Sequence, residues 1–205
     1  MIVVHSLNYS RSVRVVWLLE ELGTPYELRT YERNEAYRAP AELQAVHPLG
    51  KSPVIEDGDL TLAESAAVLR YLNERYGGGR LAPEPGSNDH ARHDEWLDSA
   101  EGSFARSIIT SFWAKKNGTE MEPRMREEFA RNMAYLAAGL SGRCYLMGDR
   151  LTLADIQIAY LLAMAEKTGA LADYPEVLSY WHRLADEPAL GRALAKTGPM
   201  MPERI

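Results

Sequence analysis

Cysteine is almost absent from this chain of 205 residues, in which Cys144 is the only one. An internal disulfide, a cage of thiolate metal ligands and a Cys-x-x-Cys redox pair are therefore excluded. The chain also lacks an excess of basic residues, since 23 Lys and Arg stand against 29 Asp and Glu, for a net charge of −6. Without a basic stripe that could displace counterions from phosphates, we expect no nucleic-acid partner.

Long apolar runs are missing as well. No stretch approaches the roughly 18 apolar residues needed to span a bilayer, so we expect no membrane partner. The first residues, MIVVHSLNYSRS, carry neither a basic region nor a small-residue cleavage site, which is unlike a signal peptide. We therefore expect a cytoplasmic protein, and a hydrophobic content of 46% is ample for a packed core.

The first part of the sequence alternates between strand and helix patterns. Apolar residues spaced i, i+3, i+4 and i+7 from Val15 predict a helix that Gly23 ends, and Asp57-Gly58 is a strong hairpin signal. The predicted order is strand 2–4, helix 15–22, strand 25–31, short helix 37–45, strands 53–56 and 60–62, and helix 65–76.

After a stretch rich in Gly and Pro, GGGRLAPEPGSN, no strand pattern appears. The later sequence predicts helices at 89–116, 123–140, 152–167, 175–186 and 188–195. We therefore predict an α/β domain over residues 1–78, a linker over 79–88 and an all-α domain over 89–205.

Pro53 stands at the start of a predicted strand, where proline cannot donate to the sheet ladder. An X-Pro bond has only a small trans preference, so a cis bond can be built in at this point. A cis Pro53 would leave the N–H and C=O of Ser52 free to pair with a peptide-like ligand. The alternative is an ordinary loop proline that leads into an edge strand.

Glu64 and Ser65 begin the third predicted helix. Helix N-termini present unpaired N–H groups and a positive dipole, which hold carboxylates well. Ser65 could bind a ligand carboxylate and Glu64 a ligand ammonium, which together would suit an amino-acid head group. The alternative is simple helix capping, which both residue types perform routinely.

The loop NYSRS precedes the first predicted helix and offers hydroxyl groups at Tyr9, Ser10 and Ser12. A bound thiol beside a helix N-terminus ionises more readily. Lowering a thiol pKa by about two units corresponds to roughly 2.7 kcal/mol, which a hydrogen bond to the sulfur and the helix dipole could supply. The alternative is N-capping by Ser10 or Ser12.

Two other patterns indicate no chemistry. His90 and His93 with nearby aspartates could line one helix face like metal ligands, but nothing else completes a site, so we expect no metal. Thr152 and Asp155 form a hydroxyl-x-x-acid capping box before an apolar run, which indicates helix nucleation.

Taken together, the order and spacing of these features resemble the glutathione S-transferase family. The resemblance is carried by SRSVRVVWLLEELGTPYEL, HPLGKSPVIEDGDLTLAESAAVLRYL and YLMGDRLTLADIQIA, and it covers essentially the whole chain. Within the family, LGKSP and SRSVRVVWLLEELG are similar to a bacterial and fungal-type branch. The resemblance implies a thioredoxin-like N-terminal domain, an all-α C-terminal domain and a homodimer.

The resemblance also implies roles for individual residues. Ser52, before a cis Pro53, would pair through its backbone with the cysteinyl part of glutathione. Glu64 and Ser65 would bind the γ-glutamyl end, and Lys51 is well placed for the glycyl carboxylate. Glutathione would be a co-substrate, and no other cofactor is implied.

The thiol-activating residue lies in the loop after the first strand in serine- and cysteine-using relatives. Counting back from Gly23 without gaps reaches Tyr9, one residue before Ser10. We predict Ser10 as the activating residue, then Tyr9, then Ser6, while some members of this branch rely on backbone N–H groups instead.

An electrophile would lie against the long helix after the linker. Phe104, Ile108, Phe112 and Trp113 are candidates to line its site, although aromatic residues at helical spacing are more often core. The tail TGPMMPERI could partly cover the cleft that holds the electrophile.

The resulting prediction is a glutathione transferase that conjugates glutathione to a small hydrophobic electrophile. One alternative is glutathione-dependent disulfide or peroxide reduction, in which glutathione itself supplies the thiols. The other is a non-catalytic glutathione-transferase-like binding protein.

Overall fold

The computed structural model describes residues 1–203 and confirms the predicted order of strands and helices in the first part of the chain. Its mixed sheet has the order β2-β1-β3-β4, in which β1 is parallel to β2 and antiparallel to β3, and β3 is antiparallel to β4. The elements are β1 Ile2–Leu7, α1 Ser12–Leu22, β2 Tyr26–Tyr31, α2 Ala41–Val46, β3 Val54–Asp57, β4 Leu60–Ala63 and α3 Ser65–Gly77.

The central strand and the first helix form the core of this part. Every residue of β1 is buried, and α1 packs against both β1 and α3. Val15, Leu18 and Leu19 are fully buried on α1, as their spacing predicts. Gly23 ends the helix in the left-handed conformation, with φ of 66°, and its N–H bonds the carbonyl of Leu19.

The later part of the chain is helical, as predicted. Where the sequence predicted one uninterrupted helix over 89–116, a π-helical turn divides it, and Nδ2 of Asn132 donates to the Ser103 carbonyl at 3.0 Å within that turn. The elements are α4 Asn88–Ser99, the π-turn Ala100–Phe104, α5 Ala105–Asn117, α6 Pro123–Leu140, α7 Leu153–Lys167, α8 Pro175–Ala185 and α9 Pro188–Thr197.

Helix α7 is the centre of the helical core, since all its residues from Leu153 to Ala165 are buried. The predicted capping box of Thr152 and Asp155 is present at its N-terminus. The Thr152 N–H donates to the Asp155 carboxyl at 2.8 Å, and so does the Thr152 hydroxyl at 2.7 Å. This pair therefore nucleates a helix, as its sequence pattern indicates.

The chain forms two compact units. One consists of Met1–Arg80 and Glu187–Met200, and the other of Leu81–Asp186 together with the described residues 201–203. Helix α9, which the sequence analysis had grouped with the all-α domain, packs against α1 in the first unit. The physical reason is a set of contacts that local patterns do not reveal, including Arg192 and Lys196 of α9 with Glu20 of α1.

The α/β unit and the helices after it thus confirm the predicted fold class, a thioredoxin-like domain followed by an all-α domain. Among residues 1–203, no helix has both the length and the apolar character required to cross a bilayer.

Candidate functional site

The predicted site residues of the first unit meet at one edge of the sheet. In the strand register, Val54 lies opposite both His5 of β1 and Ala63 of β4. The residues before β3, after β1 and after β4 therefore share that edge. This brings Ser52-Pro53, the loop that follows β1, and Glu64-Ser65 to the same end of the sheet.

The Ser52–Pro53 peptide bond is cis, as predicted. The Ser52 side chain is bound to the backbone of β1, because its hydroxyl donates to the His5 carbonyl at 2.9 Å and accepts from the Leu7 N–H at 3.1 Å. The hydroxyl thus extends the contact between β1 and the chain before β3 past the last registered pair, His5 and Val54, and holds Ser52 at a defined position.

Four serine hydroxyls form a continuous hydrogen-bonded chain at the N-terminus of α1. The Oγ–Oγ distances are 2.7 Å from Ser6 to Ser12, 2.8 Å from Ser12 to Ser10 and 3.3 Å from Ser10 to Ser52. Ser6 and Ser12 are buried, whereas Ser10 and Ser52 are half-buried. Of the two predicted activating serines, Ser10 is therefore the one that solvent, and hence a ligand, can reach.

Tyr9 has an unusual backbone conformation, with a φ of 53° in the left-handed region. Arg33 holds this loop through two hydrogen bonds of 3.0 Å, from Nε to the Asn8 carbonyl and from Nη2 to the Tyr9 carbonyl. Its third nitrogen, Nη1, donates to the Tyr37 carbonyl at 3.1 Å, and the guanidinium lies over the Tyr37 ring. The sequence analysis missed Arg33, although an arginine in a loop beside a predicted site was a usable signal.

Lys51 lies at a cavity of about 440 Å³ in the first unit. Arg33, Arg38 and Ser52 line the same cavity, so it gathers basic groups next to the serine chain. Such a cavity suits a ligand that carries a carboxylate. The sequence predicted Lys51 alone, because the two arginines come from the segment between β2 and α2, whose path the sequence did not reveal.

Glu64 and Ser65 stand at the N-terminus of α3. Glu64 is exposed and has a φ of 67°, a conformation that few residues other than glycine adopt. Ser65 is buried, and Nη1 of Arg14 donates to its hydroxyl at 3.0 Å. Arg14 is itself 1% exposed, and it too was missed, although a charged residue within the apolar pattern of α1 was visible in the sequence.

The candidates for an electrophile site lie in the second unit. Phe104 belongs to the π-turn and is buried, as are Ile108 and Phe112 on α5. Trp113 differs, because its side chain is 45% exposed and the Lys116 ammonium lies over its ring. Trp113 is thus the candidate with the most surface available to a ligand.

The histidines of α4 each lie near a carboxyl oxygen of Asp94. Nδ1 of His90 lies 3.5 Å from one Asp94 carboxyl oxygen, and Nδ1 of His93 lies 3.6 Å from the other. Within the part of the chain that the structure describes, no group of three or more His, Cys, Asp or Glu side chains could hold a metal ion.

Comparisons of the sequence with known protein families identify relatives of this chain. The family models for the N-terminal and C-terminal domains of glutathione S-transferases match residues 1–74 and 103–197. Glutathione S-transferase 3 of Schizosaccharomyces pombe is 31% identical over 217 residues, which cover 96% of this chain and 88% of the relative.

Solved structures give the same result. A glutathione S-transferase from Actinobacillus pleuropneumoniae has a TM-score of 0.87 and 33% identity, covering 99% of this chain and 98% of the other. A family member from Pseudomonas fluorescens, described with two glutathione bound, has a TM-score of 0.79 and 29% identity over 94% of this chain and 92% of the other. The chain belongs to the glutathione S-transferase family of enzymes.

Proposed function

We propose that this chain binds glutathione at the sheet edge of its first unit, lowers the pKa of its thiol and conjugates the thiolate to a small hydrophobic electrophile. The observation that carries this proposal is the serine chain at the N-terminus of α1, which ends in the accessible hydroxyl of Ser10. A hydroxyl donor and a helix dipole both favour a negative sulfur over a neutral one.

Three groups of residues would hold the tripeptide. The backbone of Ser52 would pair with the cysteinyl part, and Lys51 in its basic cavity would bind the glycyl carboxylate. Glu64 and Ser65 would bind the γ-glutamyl end at the N-terminus of α3, where unpaired N–H groups favour a carboxylate. The Pseudomonas fluorescens relative, described with two glutathione bound, supports glutathione as the ligand.

The electrophile would contact the second unit through apolar side chains. Of the four predicted residues, Trp113 offers the largest accessible surface, whereas Phe104, Ile108 and Phe112 would act mainly by shaping the core behind it. Replacing Trp113 with Ala would then raise KM for a hydrophobic electrophile and leave glutathione affinity unchanged, which steady-state kinetics with each substrate varied in turn would measure.

The binding step is tested by calorimetric titration of the purified chain with glutathione and with S-methylglutathione, which has no ionisable thiol. Thiolate formation is followed by its ultraviolet absorbance as a function of pH. We expect Ser10→Ala to raise the pKa of the bound thiol, whereas Tyr9→Phe and Ser6→Ala have smaller effects. No glutathione affinity at millimolar concentration would end this proposal.

Ser87→Ala is a suitable control for these variants. Ser87 caps α4 by accepting from the His90 N–H at 3.1 Å, so its loss costs about 1 kcal/mol of stability at a residue that is not part of the proposed site. An equal change of thiol pKa in Ser87→Ala and Ser10→Ala would mean that Ser10 acts only through stability.

The reaction is tested by comparing turnover of a chlorinated aromatic with that of a mixed disulfide and a hydroperoxide. Conjugation predicts turnover of the aromatic. Preference for the disulfide or hydroperoxide would instead identify a glutathione-dependent reductase. Glutathione binding without turnover of any of these compounds would identify a binding protein.

We further propose that the active assembly is a homodimer and that glutathione is the co-substrate, with no other cofactor. The resemblance of the whole chain to the family supports the dimer. Light scattering coupled to size-exclusion chromatography measures the mass, and a mass of one chain at working concentration would contradict it.

A further inference from the structure

The direction of the serine chain follows from one backbone carbonyl. A serine hydroxyl has one proton to donate and two lone pairs that accept. The Ser52 hydroxyl donates its proton to the His5 carbonyl at 2.9 Å, and it accepts from the Leu7 N–H at 3.1 Å. In its contact with Ser10, Ser52 can therefore only accept, and Ser10 must donate.

The same reasoning orders the other hydroxyls. Since the Ser10 proton is directed to Ser52, the contact of 2.8 Å between Ser10 and Ser12 requires Ser12 to donate. Because the Ser12 hydroxyl proton is already donated to Ser10, Ser6 must donate to Ser12 across their contact of 2.7 Å. In the serine chain, Ser6 thus donates to Ser12, Ser12 to Ser10, and Ser10 to Ser52.

Ser12 donates two hydrogen bonds to Ser10. Besides its hydroxyl, the backbone N–H of Ser12 donates to the Ser10 Oγ at 3.3 Å. Both lone pairs of Ser10 are therefore occupied by Ser12, and its proton is the one group left for a partner on the accessible side.

We propose that Ser12 is a positioning residue, which by filling the acceptor sites of Ser10 directs the single Ser10 proton to the sulfur of the bound thiol substrate. This inference rests on the proposed function and assigns to Ser12 and Ser6 a task that neither would have as a simple helix cap.

The hydrogen bond between Ser10 and Ser52 must break when Ser10 donates to the sulfur, and it is the longest in the serine chain. The Ser10–Ser52 distance of 3.3 Å is the longest between the four hydroxyls, and both residues are half-buried. When Ser10 turns its proton to the sulfur, Ser52 keeps its bonds to the His5 carbonyl and the Leu7 N–H. The thiol proton leaves to solvent, and Ser10 retains its own proton as a hydrogen-bond donor to the thiolate.

Donors in a directed chain also polarise one another. Each hydroxyl that accepts a hydrogen bond becomes a better donor, an effect of about 10–30% per bond. Ser12 and Ser6 are buried, so their hydrogen bonds act in a medium of low dielectric constant. The Ser10 hydroxyl should therefore stabilise a thiolate better than an isolated serine would.

The test compares Ser12→Ala, Ser12→Thr and Ser6→Ala by the pH dependence of thiolate absorbance in the glutathione complex. We expect Ser12→Ala to lower the ionisation constant of the bound thiol about fivefold, since one neutral hydrogen bond is lost. Ser6→Ala should lower it about twofold. Ser12→Thr, which keeps the hydroxyl, should restore the parent value, and Ser87→Ala is the control.

Ser12→Ala alone leaves the buried Ser6 hydroxyl without its acceptor, which could prevent folding. The double variant Ser6→Ala/Ser12→Ala removes both partners and should fold, and we expect it to show the same fivefold loss. A folded double variant that ionises the thiol like the parent would overturn the inference. If Ser10→Ala still weakens ionisation in that case, the proposed function survives; absence of glutathione binding to the parent would instead refute the function itself.

Discussion

Two buried polar clusters, one in each unit, differ in whether their hydrogen bonding is complete. In the helical unit, four donors converge on Asp155: the N–H of Leu146, the N–H and hydroxyl of Thr152, and the Tyr180 hydroxyl. Burial and the neighbouring carboxyl raise the pKa of Tyr180 well above its ordinary value, so its hydroxyl stays protonated and donates. Each carboxyl oxygen has two partners, and no further group can be added.

The serine cluster of the first unit is open at one end. Its inner hydroxyls, Ser6 and Ser12, are buried and paired, while its outer members, Ser10 and Ser52, are half-buried and joined by a long contact of 3.3 Å. A saturated buried cluster therefore contributes to folding, whereas an unsaturated end that faces solvent is available to a ligand.

The largest effect is expected from breaking the saturated cluster. Asp155→Ala removes the acceptor of four buried donors, so we expect the free energy of unfolding to fall by about 3–5 kcal/mol. Urea denaturation measures this. Thiol ionisation in the fraction that remains folded should not change. Asp149→Ala is the matched control, since Asp149 is exposed in the preceding loop and its loss should cost less than about 0.5 kcal/mol.

Ser10→Ala should give the opposite pattern. A hydrogen bond to a charged sulfur is worth about 1.5–3 kcal/mol, so we expect kcat/KM to fall roughly tenfold to a hundredfold. The free energy of unfolding should fall by only about 1 kcal/mol, because the Ser12 hydroxyl loses its acceptor while Ser52 keeps its two backbone contacts. If Ser10→Ala instead destabilised the fold as much as Asp155→Ala does, the contrast between the two clusters would be wrong.

An intermediate effect is expected at Arg33, which holds the loop before Ser10. Arg33→Lys loses the planar fork that reaches the Asn8 and Tyr9 carbonyls together, so the loop should become less well ordered. We expect kcat/KM to fall about fivefold, equivalent to one hydrogen bond. Steady-state kinetics measure it against Arg150→Lys, an exposed control. Equal kinetics in the two variants would show that Arg33 does not order the site.

The smallest effect is expected at the charged cluster that attaches α9 to α1. Burial alone raises the pKa of Glu20, but hydrogen bonds from Lys196, Tyr26 and Arg192 outweigh it and hold the pKa below the ordinary 4.5. Burial and the Glu20 contact raise the pKa of Tyr26 to about 12. Since the folded pKa of Glu20 is lowered, its stabilisation is present above pH 4.5 and is lost as the pH falls through the folded value.

The measurement is the difference in unfolding free energy between the parent and Glu20→Gln as a function of pH. We expect about 1 kcal/mol at neutral pH, because Lys196 and Arg192 are half-exposed and solvent screens them. The difference should decrease as the pH falls below 4.5 and vanish once the pH lies below the lowered pKa of Glu20. A difference that stays constant with pH would mean that Glu20 stabilises by packing rather than by its charge.

Most of the fold could be predicted because its helices, turns and caps depend on residues that lie close together in the sequence. The helical spacing from Val15 to Leu19, the Asp57-Gly58 turn and the Thr152–Asp155 box each act within a few residues, and each lies where it was predicted. The π-turn at Ala100–Phe104 was missed; Asn132 of another helix donates to its Ser103 carbonyl, a contact that no local pattern contains.

The candidate site likewise contains residues that the sequence predicted and residues that it missed. Ser10, Ser52, Glu64 and Ser65 could be named because their positions relative to strand and helix ends are properties of the sequence. Arg14 and Arg33 could not, since their roles depend on the groups that the fold brings to them. Arg14 reaches Ser65 across 51 positions, and Arg33 reaches Tyr9 across 24.

The helices and strands, and the polar residues at their ends, follow from local sequence, because propensity, spacing and capping operate over one or two turns. The contact of Ser52 with Ser10 across 42 positions follows only from the folded chain, and so does the order that a carbonyl of β1 imposes on the protons of the serine chain. A hydroxyl can donate in any direction until its neighbours are fixed, and those neighbours come from strands and loops that only the fold brings together.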